Sequence, residues 1–554
     1  MAGKENKAAN NEADWWRGAV IYQIYPRSFQ DNNGDGIGDL KGIAGRLDYV
    51  AAIGVDAVWL SPFFTSPMKD MGYDVADYCN VDPLFGDLAD FDAVIAKAHA
   101  LGLKVMIDQV ISHTSDQHPW FQESKSSRNN DKSSWYVWAD AKPAGDPPTN
   151  WQSVFGGSAW SWHSGRRQYY MHNFLASQPD LNFHNLEVQN AVLAAARFWL
   201  ERGVDGFRLD TVNYYVHDKR LRDNPGVDLA EGELPAVNPY GHQQHLFDKT
   251  RPENIAFLTR FRALLNEFEN RAAVGEVGDE NRSLKTMAEY TSGGDRLHMC
   301  YSFDMLGPNF SPEHYRNCIA DFAKAAAAFG DEFAWPCWAF SNHDVIRHMS
   351  RFGKDFADKA QLAKLCASLL LSLRGSICLY QGEELGLTEA DIKFEDLTDP
   401  AAIAFWPDYK GRDGCRTPMP WDKDQPNAGF SNANRTWLPI PAEHSANAAV
   451  GQVNVNGSIY EHYRAFLAFR KQHPELITGD IKFWRSGPDV LAFERILGDT
   501  RTLCLFNLSD KAAKWLIPEG AVLEAILAPS SHFEINSRTV KLGPLQAFFG
   551  TLTL

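Results

Sequence analysis

NAVLAAARFWLERGVDGFRLDTVN, residues 190–213, carries the pattern that decides the fold. Its first part places apolar residues at helical spacing and stops at Gly203. A short apolar run, DGFRLD (205–210), follows at once and reads as a buried strand with a charged end. Upstream the same kind of run recurs at AVIYQIYP (19–26), AVWLSP (57–62) and KVMIDQV (104–110). Downstream it recurs at AAVGEV (272–277), HMCYSFD (298–304), CWAFSNHD (337–344) and SICLYQGEE (376–384). Amphipathic stretches such as DFDAVIAKAHALG (90–102) lie between the runs. Continuous apolar strands alternating with helices imply an α/β chain with a parallel sheet covered by helices. Eight such units favour a closed (β/α)₈ TIM barrel over an open doubly wound sheet. The first strand is followed by no Gly-rich dinucleotide fingerprint, which also weakens the open alternative.

Three segments depart from a bare barrel. Residues 111–176, after the third strand, form a Trp-, Ser- and Pro-rich insertion with no clear crossover helix, expected to project over the strand C-termini. Residues 213–252 are a second long polar insertion, after the fourth strand. FRKQHPELI (469–477) closes the last helix, and DVLAFERI, TLCLFNLS and KWLIPE then alternate as antiparallel strands. The expected division is a barrel over 1–110 and 177–478, an insertion over 111–176, and a C-terminal β-sandwich over 479–554.

The 554 residues are 44% hydrophobic and 22% charged, an ordinary globular balance. No window approaches the roughly 18 consecutive apolar residues of a membrane helix, so the chain reads as soluble with no membrane partner. MAGKENKAANNEADWW lacks the apolar core of a secretory signal, and the eight cysteines show no CxxC pairs. Both features predict a cytoplasmic protein with reduced, buried thiols. A net charge of −16 argues against nucleic acid, which needs a basic patch. Aromatic residues make up 12% of the chain. Such rings stack on sugars but equally fill a large core, so composition names no ligand.

The polar residues at strand ends are more informative. Asp108, Arg208, Asp210, Glu276, His343 and Asp344 each fall in or just past the last residues of a predicted strand. That end of a (β/α)₈ barrel carries the active site, so these side chains are expected to converge. Any one could instead cap a helix or pair with a neighbour. All six together are harder to explain that way, because burying several like charges without a task is costly. Two carboxylates are the minimum for cleaving a glycosidic bond with retention, one attacking the anomeric carbon and one protonating the leaving oxygen. Arg208 lies two residues before Asp210 on the same strand face, where it is expected to lower the Asp210 pKa. Glu276 ends an apolar strand, where desolvation and nearby acids are expected to raise its pKa, as a proton donor requires. Asp344, preceded by His343, suits binding of sugar hydroxyls and stabilisation of an oxocarbenium-like charge.

These segments resemble the conserved regions of the α-amylase superfamily (glycoside hydrolase family 13), on its α-glucosidase/oligo-1,6-glucosidase branch. The matching stretches are DQVISHTS (108–115), GFRLDTVN (206–213), GEVG (275–278) and FSNHD (340–344), supported by QPDLNF (178–183) and QGEELGL (381–387). Likeness runs from WWRGAVIYQIYPRSF (15–29) through GRDGCRTPMPW (411–421) into the C-terminal segment. The resemblance implies a carbohydrate-active hydrolase, a retaining, exo-acting α-glucosidase with Asp210 as nucleophile, Glu276 as acid/base and Asp344 as third acid. It implies that Asp70, Tyr73, His113, Arg208, His343 and Arg412 hold the non-reducing glucose, with Asp70 and Arg412 closing the pocket behind it. Thr211, after the nucleophile, resembles members preferring α-1,4 links, where Val resembles α-1,6 members. A hydroxyl beside the leaving sugar can hydrogen-bond where a methyl cannot, so maltose-like substrates are expected. Transglucosylation onto sugars or alcohols is also expected, because any acceptor can intercept a covalent glucosyl-enzyme.

Ser112 stands where the family commonly has an Asn that helps hold calcium in secreted α-amylases, so that calcium is expected to be missing. DNNGDGIGD (31–39) instead sets Asp31, Asn33, Asp35, the Ile37 carbonyl and Asp39 at the first five ligand offsets of an EF-hand loop. The twelfth position is Gly42, so it is no EF-hand. It resembles the structural Ca²⁺ (or Mg²⁺) loop of oligo-1,6-glucosidases, and its alternative is a solvated Asx/Gly turn. No organic cofactor is expected, the partners are small α-glucosides and acceptors, and a monomer or homodimer is expected. Three other functions stay open. One is a sister activity: sucrose hydrolysis or isomerisation, trehalose conversion or oligo-1,6-glucosidase action. The second is a catalytically inactive family member serving as a binding subunit, which the retained acids disfavour. The third is a plain calcium-binding protein, which the missing twelfth ligand disfavours.

Overall fold

The computed structural model describes residues 14–229, 236–330, 334–529 and 531–553. The leader reading on residues 1–13 and the centre of the second insertion, 230–235, lie outside the described residues. All eight predicted strands are present: β1 Val20–Ile24, β2 Ala57–Leu60, β3 Lys104–Gln109, β4 Gly206–Leu209, β5 Ala272–Val277, β6 Met299–Ser302, β7 Cys337–Trp338 and β8 Ser376–Tyr380. They form one parallel sheet ordered β6-β5-β4-β3-β2-β1-β8-β7. A bridge from Cys300 in β6 to Pro336 just before β7 closes the ring. The chain is a (β/α)₈ barrel.

Strand alternation splits the core in two. Ile21, Ala57, Trp59, Met106, Ala272, Val274, Met299 and Tyr301 pack together inside the barrel. Their chain neighbours Tyr22, Val58, Val105 and Ala273 pack outward with the helices, as does Phe207 of β4. The helix Leu186–Glu201 is capped by Asn185 and buries Val188, Val192, Ala195, Ala196 and Trp199, one face at helical spacing. Each fully buried large side chain there contributes about 1.5–3 kcal/mol. The inward positions change from apolar to charged only at the strand ends, at Asp108, Arg208 and Glu276. Register then sets Asp108 beside Arg208 and Glu276 beside Tyr301.

The stretch between β3 and β4 has more structure than its sequence suggested. It holds a helix, Pro119–Ser126, and a small antiparallel sheet of Trp138–Ala139, Trp160–His163 and Gln168–Met171. Trp151 and Trp160 pack with Val137, Ala159 and Met171 in a core of its own, which absorbs part of the Trp-rich composition. At the C-terminal end, five-stranded and three-stranded antiparallel sheets share a core that includes Leu503, Leu505, Trp515, Val540 and Phe548. Phe549 of the larger sheet packs on Phe466 and Phe469 of the helix Ile459–Gln472, joining this segment to the barrel. All eight cysteines are free thiols, and seven are buried. Among the described residues no helix is long and apolar enough to cross a membrane.

Candidate active site

Arg208, fully buried, is the hub of the strand-end cluster. Its Nη1 donates to Asp108 Oδ1 at 2.7 Å and to Asp210 Oδ1 at 2.6 Å. Its Nη2 lies 2.5 Å from Glu276 Oε1. The Tyr301 hydroxyl accepts from Arg208 Nη2 and donates to Glu276 Oε1, both at 2.9 Å. Trp59 Nε1 and the Tyr73 hydroxyl each donate to Asp108 Oδ2 at 3.1 Å. Three acids therefore share one guanidinium, all of them nearly buried. Burial pushes Glu276 up to about 7, against the pull of Arg208 and with the Asp210 and Asp344 charges adding to the rise. Burial likewise raises Asp108 to about 7 despite Arg208. Asp210 also lies above the usual carboxylate range, because burial outweighs Arg208 and the Thr211 hydroxyl. Arg208 does pull the Asp210 pKa down as expected, but the net shift is upward, because one cation divided among three carboxylates does not offset the desolvation of each.

Thr211 links the two central carboxylates. Its φ of +40° lies in the left-handed region, unusual for a β-branched residue and costing on the order of 1–3 kcal/mol. That conformation turns its N–H onto Glu276 Oε2 at 3.1 Å. Its hydroxyl lies 3.2 Å from both Asp210 Oδ2 and Ser112 Oγ. The group expected to face a leaving sugar is thus also engaged with Asp210.

Both histidines have assigned tautomers. Ser112 Oγ is 2.8 Å from His113 Nδ1, and His113 Nε2 faces the Tyr73 carbonyl at 2.9 Å. The hydroxyl therefore donates to Nδ1 while Nε2–H donates to the carbonyl. Burial lowers His113 to about 4, so the ring is neutral near pH 7. Gln23 Nε2 donates to His343 Nδ1 at 2.7 Å. His343 Nε2 then carries the hydrogen toward the Tyr73 hydroxyl and Asp344 Oδ2. Tyr73 stacks on His343 with ring centres 5.2 Å apart.

A second cluster forms around Arg412 on the long loop after β8. Arg412 Nη2 donates to Asp70 Oδ1 at 3.0 Å, and Nη1 to Asp344 Oδ1 at 3.2 Å. Nε and Nη2 also fork onto the two oxygens of Asp399 at 3.0 and 2.8 Å. Arg416 Nη2 reaches Asp344 Oδ1 at 2.9 Å. Burial raises the Asp344 pKa, but His343, Arg412 and Arg416 together hold it well below the usual range. Asp399 lies at about 2, burial being outweighed by Arg412. Asp70 rises, because burial beats Arg412 there.

The two clusters open into one pocket of about 530 Å³. Asp70, Tyr73, His113, Asp210, Thr211, Glu276, Asp344 and Arg412 line it, with Phe155, Phe174, Tyr214, Phe303, Phe405 and Tyr409 completing the wall. Arg208 and His343 are fully buried and sit behind this lining. Residues 23–479 match the family model for the α-amylase catalytic domain.

The chain belongs to the α-amylase family.

This α-amylase-family chain is 57% identical to a protein of Rhizobium meliloti (strain 1021) described as a probable alpha-glucosidase, over 98% of both chains. It is 35% identical to an alpha-glucosidase of Apis mellifera, covering 89% of this chain and 85% of that one. Among solved structures, the alpha-glucosyl transfer enzyme XgtA superposes with a TM-score of 0.93 at 51% identity, over 98% and 99% of the two chains. An isomaltulose synthase of Erwinia rhapontici NX5, a more distant member, gives 0.87 at 32% identity over 98% and 99%.

Tyr301, Asp399 and Gln178 are among the site residues that had no assigned role from sequence. Tyr301 sits opposite Glu276 in the β5–β6 register, so aligning strand ends residue by residue would have found it. Asp399 and Gln178, which donates to Asp70 Oδ2 at 3.0 Å, lie in loops without periodicity and left no such signal.

The family chain's 31–39 loop supplies none of the pocket lining. Asp31 accepts from the Gly34 and Gly36 amides and from the Ser431 hydroxyl, and Asp39 from the Asn32 and Asn33 amides. Among the described residues no three His, Cys, Asp or Glu side chains gather so as to hold a metal. Any ion held here therefore depends on the Asn33 and Ile37 carbonyl oxygens as well as the acids.

Proposed function

We propose that this protein is a retaining, exo-acting α-glucosidase. It releases α-glucose from the non-reducing end of short α-1,4-glucosides such as maltose, and also transfers glucosyl groups to sugar or alcohol acceptors. The observation that carries this is a single pocket in which Arg208 joins Asp210 to Glu276 while Arg412 joins Asp70 to Asp344. A glucose ring seated on the second cluster presents its anomeric carbon to the first. The Asp210 carboxylate attacks that carbon, the glycosidic C–O bond breaks, and the Glu276 proton passes to the leaving oxygen. Ionised Glu276 then takes a proton from water or an acceptor hydroxyl, whose oxygen displaces Asp210 with the α configuration restored. A Glu276 pKa of about 7 suits both halves of that cycle. The low pKa of Asp344 keeps it charged to receive sugar hydroxyls and to stabilise the oxocarbenium-like state. The likeness to an alpha-glucosyl transfer enzyme supports the transfer branch.

Asp31, Asn33, Asp35, the Ile37 carbonyl and Asp39 offer hard oxygen donors of the kind Ca²⁺ or Mg²⁺ prefers. An ion there would brace the loop after β1 and supply no chemistry to the pocket.

Maltose, isomaltose, sucrose and trehalose assayed side by side test the substrate. Maltose is expected to be cleaved fastest, with α-glucose appearing first by NMR. Preference for sucrose or trehalose would move the protein to a sister activity on the same scaffold, and β-glucose as first product would end the retaining mechanism.

A further inference from the structure

Lys249 is almost fully buried, yet its ammonium group contacts two residues that line the pocket. Nζ lies 2.8 Å from the Gly278 carbonyl, 2.8 Å from the Tyr240 hydroxyl, 2.8 Å from Glu280 Oε1 and 3.1 Å from the Tyr214 hydroxyl. The Tyr214 and Tyr240 hydroxyls are themselves 2.7 Å apart, and the ammonium sits 4.8 Å from the centre of the Tyr214 ring. Two of these groups, Tyr214 and Gly278, line the pocket. Gly278 follows Glu276 by two residues, and Tyr214 follows Asp210 by four.

The same place is tied a second time. Asn213 donates to the Gly278 carbonyl and to the Thr250 hydroxyl, both at 2.9 Å, and accepts from the Gly278 N–H at 3.1 Å. The strap around residues 248–250 therefore fastens the loop after β4 to the loop after β5, the loops that carry the two central carboxylates. Glu280, which closes the ion pair, has a φ of +46°, a strained backbone setting for a residue other than glycine. A second cavity lined by Tyr214, Lys249, Gly278 and Phe303 opens beside the first and shares three of these residues with it. An ammonium group withdrawn from water needs every proton partnered, so its acceptors are held in fixed positions.

We propose that Lys249 is a positioning residue for the leaving-group side of the pocket, fixing Tyr214 and Gly278 relative to Glu276 and so governing which leaving groups and acceptors the site accepts. This rests on Glu276 acting as the acid/base. A wall that positions the departing sugar matters most when that sugar is a poor leaving group that must be protonated. It matters least for an aryl leaving group, which departs with little help from the acid.

The test compares Lys249→Met, Lys249→Arg and Tyr214→Phe with wild type, on maltose and on 4-nitrophenyl α-glucoside. Lys249→Met is expected to lower kcat/KM for maltose about 100-fold, the range of a lost positioning contact, and to lower it under 10-fold for the aryl glucoside. It is also expected to change the ratio of glucosyl transfer to hydrolysis, with partial recovery in Lys249→Arg. Tyr214→Phe, which removes one hydroxyl and keeps the ammonium, is expected to show the same split at smaller size and decides the matter if Lys249→Met does not fold. Equal losses on both substrates, or no loss on either, would overturn the proposal. A wild-type protein that cleaves neither substrate would instead overturn the glucosidase reading.

Discussion

Two groups of acids meet in the pocket, and each gathers around arginine with the opposite result. At the strand ends, Asp108, Asp210 and Glu276 share the single guanidinium of Arg208, and all three sit above the usual carboxylate range. On the loops, Asp70, Asp344 and Asp399 meet Arg412, with Arg416 beside Asp344, and Asp344 and Asp399 fall below it. Burial raises every one of these acids, so the difference lies in how many cations oppose it and how closely they are hydrogen-bonded. One arginine among three acids leaves carboxyl groups that keep their protons to higher pH. Two arginines leave fixed negative charge. Asp70 marks the limit of that rule: Arg412 and Arg416 both oppose burial there, yet it rises, because it takes a single contact from Arg412 where Asp399 takes a fork.

The contrast breaks most visibly at Asp210. Asp210→Asn removes the oxygen proposed to attack, and hydrolysis of an aryl α-glucoside is expected to fall by about 10⁴-fold or more. Steady-state rates near wild type would show that the strand-end cluster is not where bond-making occurs.

Glu276→Gln is expected to lower kcat on maltose by about 10³-fold, as loss of a general acid does. Its pH dependence carries the sharper information. Glu276 must be protonated to donate, so the wild-type rate should decline as pH rises through about 7. Asp210 must be ionised to attack, so the acid limb should lie above the ordinary carboxylate range. In Glu276→Gln the alkaline limb of the residual maltose rate should vanish. If it persists at the same pH, Asp108, which also titrates near 7, carries that limb instead.

Arg412→Lys keeps a cation in the loop cluster but loses the fork onto Asp399. An increase of about 10-fold in the KM for maltose is expected, with kcat changed little. A fall in kcat with KM unchanged would place Arg412 in the chemical step rather than in holding the terminal sugar. The smallest effect is assigned to Thr211→Val, which is expected to raise isomaltose activity relative to maltose about five-fold, the worth of one hydrogen bond. An unchanged ratio would mean that the Thr211 hydroxyl serves Asp210 and Ser112 alone.

The strand-end cluster was largely legible in the chain, whereas of the loop cluster only Asp344 was. Asp108, Arg208, Asp210 and Glu276 terminate apolar runs whose period marks them as strands, and a parallel barrel aligns such ends on one face. Arg412 was reached only through family likeness, and its partner Asp399 was not reached at all, because loops have no period from which a contact could be read. The insertion over 111–176 was legible as an interruption but not as a small sheet with its own tryptophan core.

By itself the sequence determined the eight-stranded barrel, the end at which polar groups converge, and the family, since these depend on local alternation and on motif order. Only the tertiary structure decided the charge state of the site. Whether Arg208 can keep Asp210 in the ordinary carboxylate range depends on how many acids it must share and how little water reaches them. Those quantities arise when β3, β4 and β5 close side by side, and they are absent from any one strand.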